Sequence, residues 1–189
     1  MHKEAVRPKM AYRLLNPGCV VLVSAGDGDR DGVFAMTWNM PVRKSPGTVA
    51  LLSGKRHHTY GIIERTRELG ISVPDVSLVN AVYGCGTTSG NHGVDKWERF
   101  GITRQAPEII RAPLVEQAIA TLECRVEQVV DMGPSALIIA EILSARAAPE
   151  HFTPGGAWRF DSGLQLIHHM GGTAFGVTSS VVHAKLPKD

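Results

Sequence analysis

Apolar residues run along this chain in short blocks separated by polar turns, and the blocks gather toward its two ends. Cys19 to Ser24 is apolar at almost every position and predicts a buried strand. The polar stretch Asp27 to Gly32 predicts a hairpin turn, with Val33 to Met40 as the returning strand. Thr48 to Ser53 predicts a third strand. Between these two, Pro41 to Pro46 carries two prolines and two cations and is expected to be a loop. Tyr60 to Leu69 has helical character, with Thr59 as its expected N-cap and Gly70 as its stop. Ile71 to Pro74 reads as a short strand. Asp75 is placed to cap a second helix through Val82, and Asp95 a third through Phe100. Pro113 suits the first residue of a helical turn running to Ala120.

Farther on, Leu122, Cys124 and Val126 alternate with Glu123, Arg125 and Glu127, which predicts a strand with one buried and one wet face. Asp131 to Pro134 predicts a turn. Ala136 to Leu143 is apolar enough for a strand covered on both sides, and Leu164 to Ile167 and Phe175 to Thr178 predict two more. The total is about six to eight strands and three short helices, without the strand-helix alternation of a parallel sheet. The expected fold is mainly β with inserted helices, an antiparallel barrel. Residues 10–183 are expected to form its single domain, after a loose arm over 1–9 and before a tail over 184–189.

Composition narrows the function. The chain has 189 residues, 43% hydrophobic and 20% charged, enough to bury a core without staples. A net charge of +2 is too small to imply nucleic acid as a partner. Met1 to Met10 lacks the apolar segment of a signal peptide, and no apolar run is long enough to cross a membrane. Cys19, Cys85 and Cys124 are far apart and make no CxxC pair, so a reducing cytoplasm is expected.

One stretch concentrates candidate chemistry. Ser53-Gly54-Lys55-Arg56-His57-His58-Thr59 sets hydroxyls, cations and a glycine between a strand and a helix. Those groups suit a phosphate, although the same residues also make a solvated basic turn. Asp27 to Gly32 matches the first half of a calcium loop, but Trp38 stands where a glutamate ligand is needed. Gly84 to Gly90 fits no nucleotide fingerprint and reads as a glycine-rich loop open to backbone approach, or as a plain loop. His168 and His169 are adjacent on an expected strand and point to opposite faces, so no metal site is assigned to them.

The order of these segments resembles the flavin reductase-like family, which includes flavoredoxins and ferric reductases, over about residues 10–180. Asn16-Pro-Gly-Cys-Val-Val-Leu-Val resembles the family's opening strand. Ala35-Met-Thr-Trp-Asn-Met-Pro-Val42 resembles its second strand, and Ser45 to Ser53 its next. His58 to Glu64 is similar to the start of its first helix, and Ser89-Gly90 with Asp95 to Ile102 to its SG…DKF…GL segment. Leu122 to Cys124 and His168 to Gly172 resemble its last two signatures. Asp131-Met-Gly-Pro134 departs from the Asp-His pair many relatives carry there, and Phe175 replaces a frequent tyrosine.

The resemblance implies an FMN-binding split barrel acting as a cytoplasmic homodimer, with one FMN per subunit near the interface. It implies that Ser53, Lys55, Arg56, His57 and Thr59 take the FMN phosphate. Met36, Thr37, Trp38, Asn39 and Met40 would line the flavin ring, and Ser89 and Gly90 would close on the ribityl or phosphate end. Lys96 is a further candidate contact. Arg43 and Lys44 are candidates to meet a phosphate or a nicotinamide nucleotide. His168 and His169 are the candidates for proton transfer. The implied activity is flavin or ferric-chelate reduction at the expense of NADH or NADPH, with a small molecule or a protein as donor and acceptor. A non-enzymatic FMN electron carrier is the alternative, and a heme- or pyridoxal-linked barrel a second one.

Overall fold

The computed structural model describes residues 18–153, 155–178 and 180–184. The expected arm over 1–9, and residues 185–189 of the expected tail, lie outside the described residues. Strands β1 (Val21–Gly26), β2 (Asp31–Met36), β3 (Asn39–Lys44), β4 (Gly47–Gly54) and β5 (Glu68–Val73) are followed by β6 (Arg104–Gln105) and β7 (Leu114–Val115). Then come β8 (Ala120–Met132), β9 (Ser135–Ala147), β10 (Leu166–Gly171) and β11 (Ala174–Thr178). Helices α1 (His58–Thr66), α2 (Val79–Thr87) and α3 (Lys96–Arg99) are inserted among them. The main sheet has seven strands in the order β2-β1-β5-β8-β9-β4-β3, paired antiparallel. The mainly β, antiparallel fold with inserted helices is as the sequence implies.

The sheet's two edges are neighbours in sequence. β2 and β3 are separated by Thr37 and Trp38 alone. Laid flat, the edges of seven strands would stand about 29 Å apart, and two linking residues reach about 11 Å. The sheet must therefore curl until its edges meet. No ladder joins β2 to β3 among the described residues, so the curled sheet keeps a seam. The Asn39 side-chain amide braces it, donating to Met36 O at 3.3 Å and to Cys19 O at 2.9 Å.

β1 explains why its sequence is apolar throughout. Val21, Val23 and Ala25 face a core shared with Ile62 and Ile63 of α1 and with Cys124 and Ile138. Leu22 faces a second core with Val82, Cys85, Trp97 and Ile167. A strand covered on both faces needs no polar alternation.

Several local expectations are corrected. The strand expected from Val33 to Met40 is two strands, broken at the crossover between the edges. The expected loop Pro41 to Pro46 is mostly β3, which tolerates Pro41 because an edge strand leaves one row of N–H positions unpaired. Thr59 does not cap α1; His57 takes that position without a side-chain cap, and Thr59 is buried. α1 stops at Thr66, where Arg67 turns left-handed at φ 58°. Gly70 lies inside β5, where a Cβ would come within 2.6 Å of Ser24 Oγ. The helical turn expected after Pro113 is β7, whose Val115 N–H donates to Ser72 Oγ at 3.0 Å.

The wet face expected for β8 also fails at one position. Glu123 is buried and its carboxylate accepts from the backbone amides of Glu108, Ile109 and Ile110, at 2.7 to 3.2 Å. The register shifts between Glu123 and Cys124, and the segment before β7 folds over that face.

Candidate functional site

The turn after β4 is fixed from two sides. Lys55 N–H donates to Pro134 O at 3.0 Å, tying the turn to the β8–β9 hairpin. Asn91 Nδ2 donates to Arg56 O at 2.9 Å, tying it to the segment after α2, where Ser89 Oγ accepts from Asn91 N. Between these ties opens a cleft of about 300 Å³. Arg56, His57 and Thr59 form one wall, and Thr88, Ser89, Gly90 and Lys96 the other.

The electrostatics of this cleft favour an anion. Lys96 is only 8% exposed, and its Nζ donates to Cys85 O at 2.8 Å. Burial pulls its pKa below the usual lysine value, with Cys85 opposing. Burial, then Lys96 and Arg56, holds the His57 pKa below the usual imidazole value, so this ring is neutral near pH 7. Its Nδ1 lies 3.4 Å from the buried Ser53 hydroxyl. An incoming anion meets two cations, four hydroxyls and no carboxylate among the residues that line the cleft. Cys85 is no nucleophile here, because burial pushes its thiol up to about 11.

A second cleft, also about 300 Å³, opens from the first across Ala35, Gly86 and Thr87. Its walls are largely apolar, with Val20, Val82, Tyr83 and Phe175 among them. His169 enters it beside Phe175, with ring centroids 5.2 Å apart, and shares its Nε2 with Gly172 O at 3.0 Å. A planar apolar group in the second cleft and an anionic group in the first would together match what the residues offer.

Residues 13–188 match the family model of the flavin reductase like domain. The chain belongs to the flavin reductase-like family. It is 34% identical to the uncharacterized protein YddH of Escherichia coli over 174 residues, covering 89% of this chain and 90% of that one. Among solved structures it resembles an FMN-binding domain of a flavin reductases-like enzyme from Shewanella baltica, at 27% identity and a TM-score of 0.81. That likeness covers 96% of this chain and 97% of the other. The flavoredoxin of Desulfovibrio vulgaris shares the fold, with a TM-score of 0.83 at 20% identity over 97% of each chain.

Against the flavin reductase-like expectation, the structure brings Arg56, His57, Thr59, Ser89, Gly90 and Lys96 around one cleft. It sets Lys55 apart: its Nζ pairs with Asp131 Oδ2 at 2.7 Å. Lys55 instead lines a neighbouring hollow with Trp38, Arg56 and His57. Ser53 is buried behind His57. Of the crossover residues, only Thr37 lines the apolar cleft. Met36 is buried in the core, Asn39 braces the seam, and Met40 is 58% exposed. Arg43 pairs with Glu127 at 3.1 Å. His168 and His169 point apart, as expected of neighbours on a strand; His168 Nε2 meets Thr178 Oγ1 at 2.8 Å.

Phe34, Ala35, Tyr83 and Thr88 also line the two clefts, although the sequence assigns none of them a site role individually. The glycine-rich loop expected at Gly84 to Gly90 is helical as far as Thr87. Gly84 is required there by packing, since a Cβ would fall 2.3 Å from the Phe100 ring. The helical run beyond Val82 was the available signal, because α2 carries Val82, Tyr83 and Gly86 to the apolar cleft.

Proposed function

We propose that the protein binds FMN and acts as a flavin-dependent oxidoreductase, taking electrons from NADH or NADPH and passing them to free flavin or a ferric chelate. The observation that carries this reading is the pair of joined clefts, one cationic and hydroxyl-lined, the other apolar. Arg56, Lys96, Thr59 and Ser89 fit a phosphate, and Val82, Tyr83 and Phe175 fit a ring, so the residues suit the group. When bound, FMN supplies two-electron redox chemistry. The chain supplies position: the cations anchor the phosphate end, and the apolar walls exclude water from the ring. His169 is the imidazole set to hold a proton beside the ring cleft. His168 is turned to Thr178 and is less suited to that role.

The purified protein is expected to show the absorption bands of oxidised flavin and to oxidise NADH or NADPH with free flavin as acceptor. A colourless protein that gains no flavin bands on incubation with FMN would sink the reading. Flavin bands without nicotinamide oxidation would favour the electron carrier instead.

A homodimer belongs to the same reading. Trp38, Met40 and Val42 expose apolar surface along the edge strand β3 and its approach, a face that suits a second copy. Sedimentation is expected to give a dimer; a monomer at micromolar concentration would remove this part. The reading places the protein in the cytoplasm, in keeping with its three free cysteines. Among the described residues, no helix is long and apolar enough to cross a membrane.

A further inference from the structure

Lys96 is a buried cation without a counter-ion. It is 8% exposed, and its ammonium pairs with no carboxylate among the described residues. Buried charges are ordinarily paired. Here one donor goes to Cys85 O at 2.8 Å, and the other two meet no acceptor among the described residues. The acid beside it in sequence is engaged elsewhere. Asp95 caps α3 through the Trp97 and Glu98 amides and pairs with Arg104 at 3.0 Å. Burial therefore favours the neutral amine and pulls the Lys96 pKa down.

The same residue lines the cationic cleft. Also on its walls are Arg56, which has no carboxylate tie among the described residues, and the hydroxyls of Thr59 and Ser89. Ser89 Oγ accepts from Asn91 N and keeps its own proton to donate. Two properties thus meet in one cleft. It offers a seat for a phosphate, and beside that seat a lysine in the setting that makes an amine nucleophilic: desolvated and close to another cation.

We propose that Lys96 is an acylation site for acyl phosphates, whose phosphate docks on Arg56, Thr59 and Ser89 and presents its acyl carbon to the amine. The inference rests on the phosphate reading of this cleft, though not on flavin as the source of the phosphate. The Nζ lone pair attacks the acyl carbon, and the bond from that carbon to the bridging oxygen breaks. The electron pair of that bond leaves with inorganic phosphate, the nitrogen gives one proton to solvent, and a neutral amide remains. Arg56 faces the charge that grows on the leaving phosphate. The product lacks one of the two cations of the cleft. A bound phosphate group protects Lys96, and an acylated Lys96 weakens the seat for any later phosphate.

The test is peptide mass spectrometry of flavin-stripped protein incubated with acetyl phosphate. Acetylation at Lys96 is followed against Lys44, which is exposed at the end of β3. Lys96 is expected to react about tenfold faster or more, because the neutral fraction of an amine rises about tenfold for each unit its pKa falls and docking adds proximity. Inorganic phosphate is expected to slow Lys96 and leave Lys44 unchanged. Acetic anhydride carries the same acyl group without a phosphate and is expected to lose most of the preference. Arg56→Ala is expected to bring Lys96 down toward the Lys44 rate with acetyl phosphate. A Lys96 rate at or below that of Lys44 overturns the inference. So does an equal preference with the anhydride, a lack of protection by phosphate, or an Arg56→Ala rate equal to that of the wild type. FMN separates this result from the flavin reading. If phosphate protects Lys96 and FMN does not, the flavin reading has failed and the acylation site stands.

Discussion

Arg56→Ala is expected to weaken FMN binding by about one to two decades, and Lys55→Ala by far less. Both cations belong to the turn between β4 and α1, and on sequence they are interchangeable. Their surroundings are not. Arg56 borders the cationic cleft, and Asn91 holds its backbone in place. The Lys55 ammonium is already paired with Asp131, which it holds below the usual carboxylate range. To reach a phosphate it would first have to leave that partner. The Arg56 guanidinium has no such tie to break among the described residues, and its planar fork suits two phosphate oxygens at once. Calorimetric titration of the two single variants with FMN decides the matter. A Lys55→Ala loss equal to that of Arg56→Ala would mean that Lys55 abandons Asp131 on binding, and the division between the two residues would be wrong.

Glu123→Ala is expected to lower stability by roughly 3 kcal/mol or more, because three backbone donors lose their acceptor at a largely buried site. For a chain of this size that corresponds to a fall in melting temperature of roughly 6–12 °C, read by calorimetry or circular dichroism. The residue lines neither cleft of the candidate site, so FMN affinity of the folded variant is expected to stay unchanged. The pH dependence follows from the same contacts. Burial opposes the charge, but the amides of Ile109, Ile110 and Glu108, with help from Arg146, outweigh it and hold the pKa below the usual 4.5. A carboxyl with a lowered folded pKa stabilises fully above its unfolded pKa. Its contribution is lost as pH falls from about 4.5 through the folded value. Wild type should therefore lose part of its margin over Glu123→Ala on acidification. A margin constant from neutral pH down past that range would contradict the account.

Much of the fold was legible because period and punctuation act locally. Thr48 to Ser53 is an apolar run that lies inside β4, and Asp95 caps α3 by accepting from the Trp97 and Glu98 amides. What escaped depends on distant partners. Nothing near Glu123 announces that residues 108–110 will turn their amides toward it. Pro41 reads as a strand breaker unless β3 is known to be an edge. The break at Thr37 follows from the order of seven strands, which no window around residue 37 contains. The site divides in the same way. Arg56 and Thr59 were readable as phosphate chemistry and Ser89 and Lys96 through the family resemblance, whereas the apolar cleft is assembled from β2, α2 and β11. Lys55 looked equal to Arg56 because Asp131 is distant in sequence.

The seam between β2 and β3 has a mechanical meaning. A sheet closed by hydrogen bonds all round can admit a ligand only by breaking some of them. This one is already parted along one line, where Thr37 and Trp38 bridge the edges and the Asn39 amide acts as a clasp. Thr37 on that line borders the apolar cleft. Along that line, parting the edges would break the Asn39 side-chain bonds and no ladder bond among the described residues.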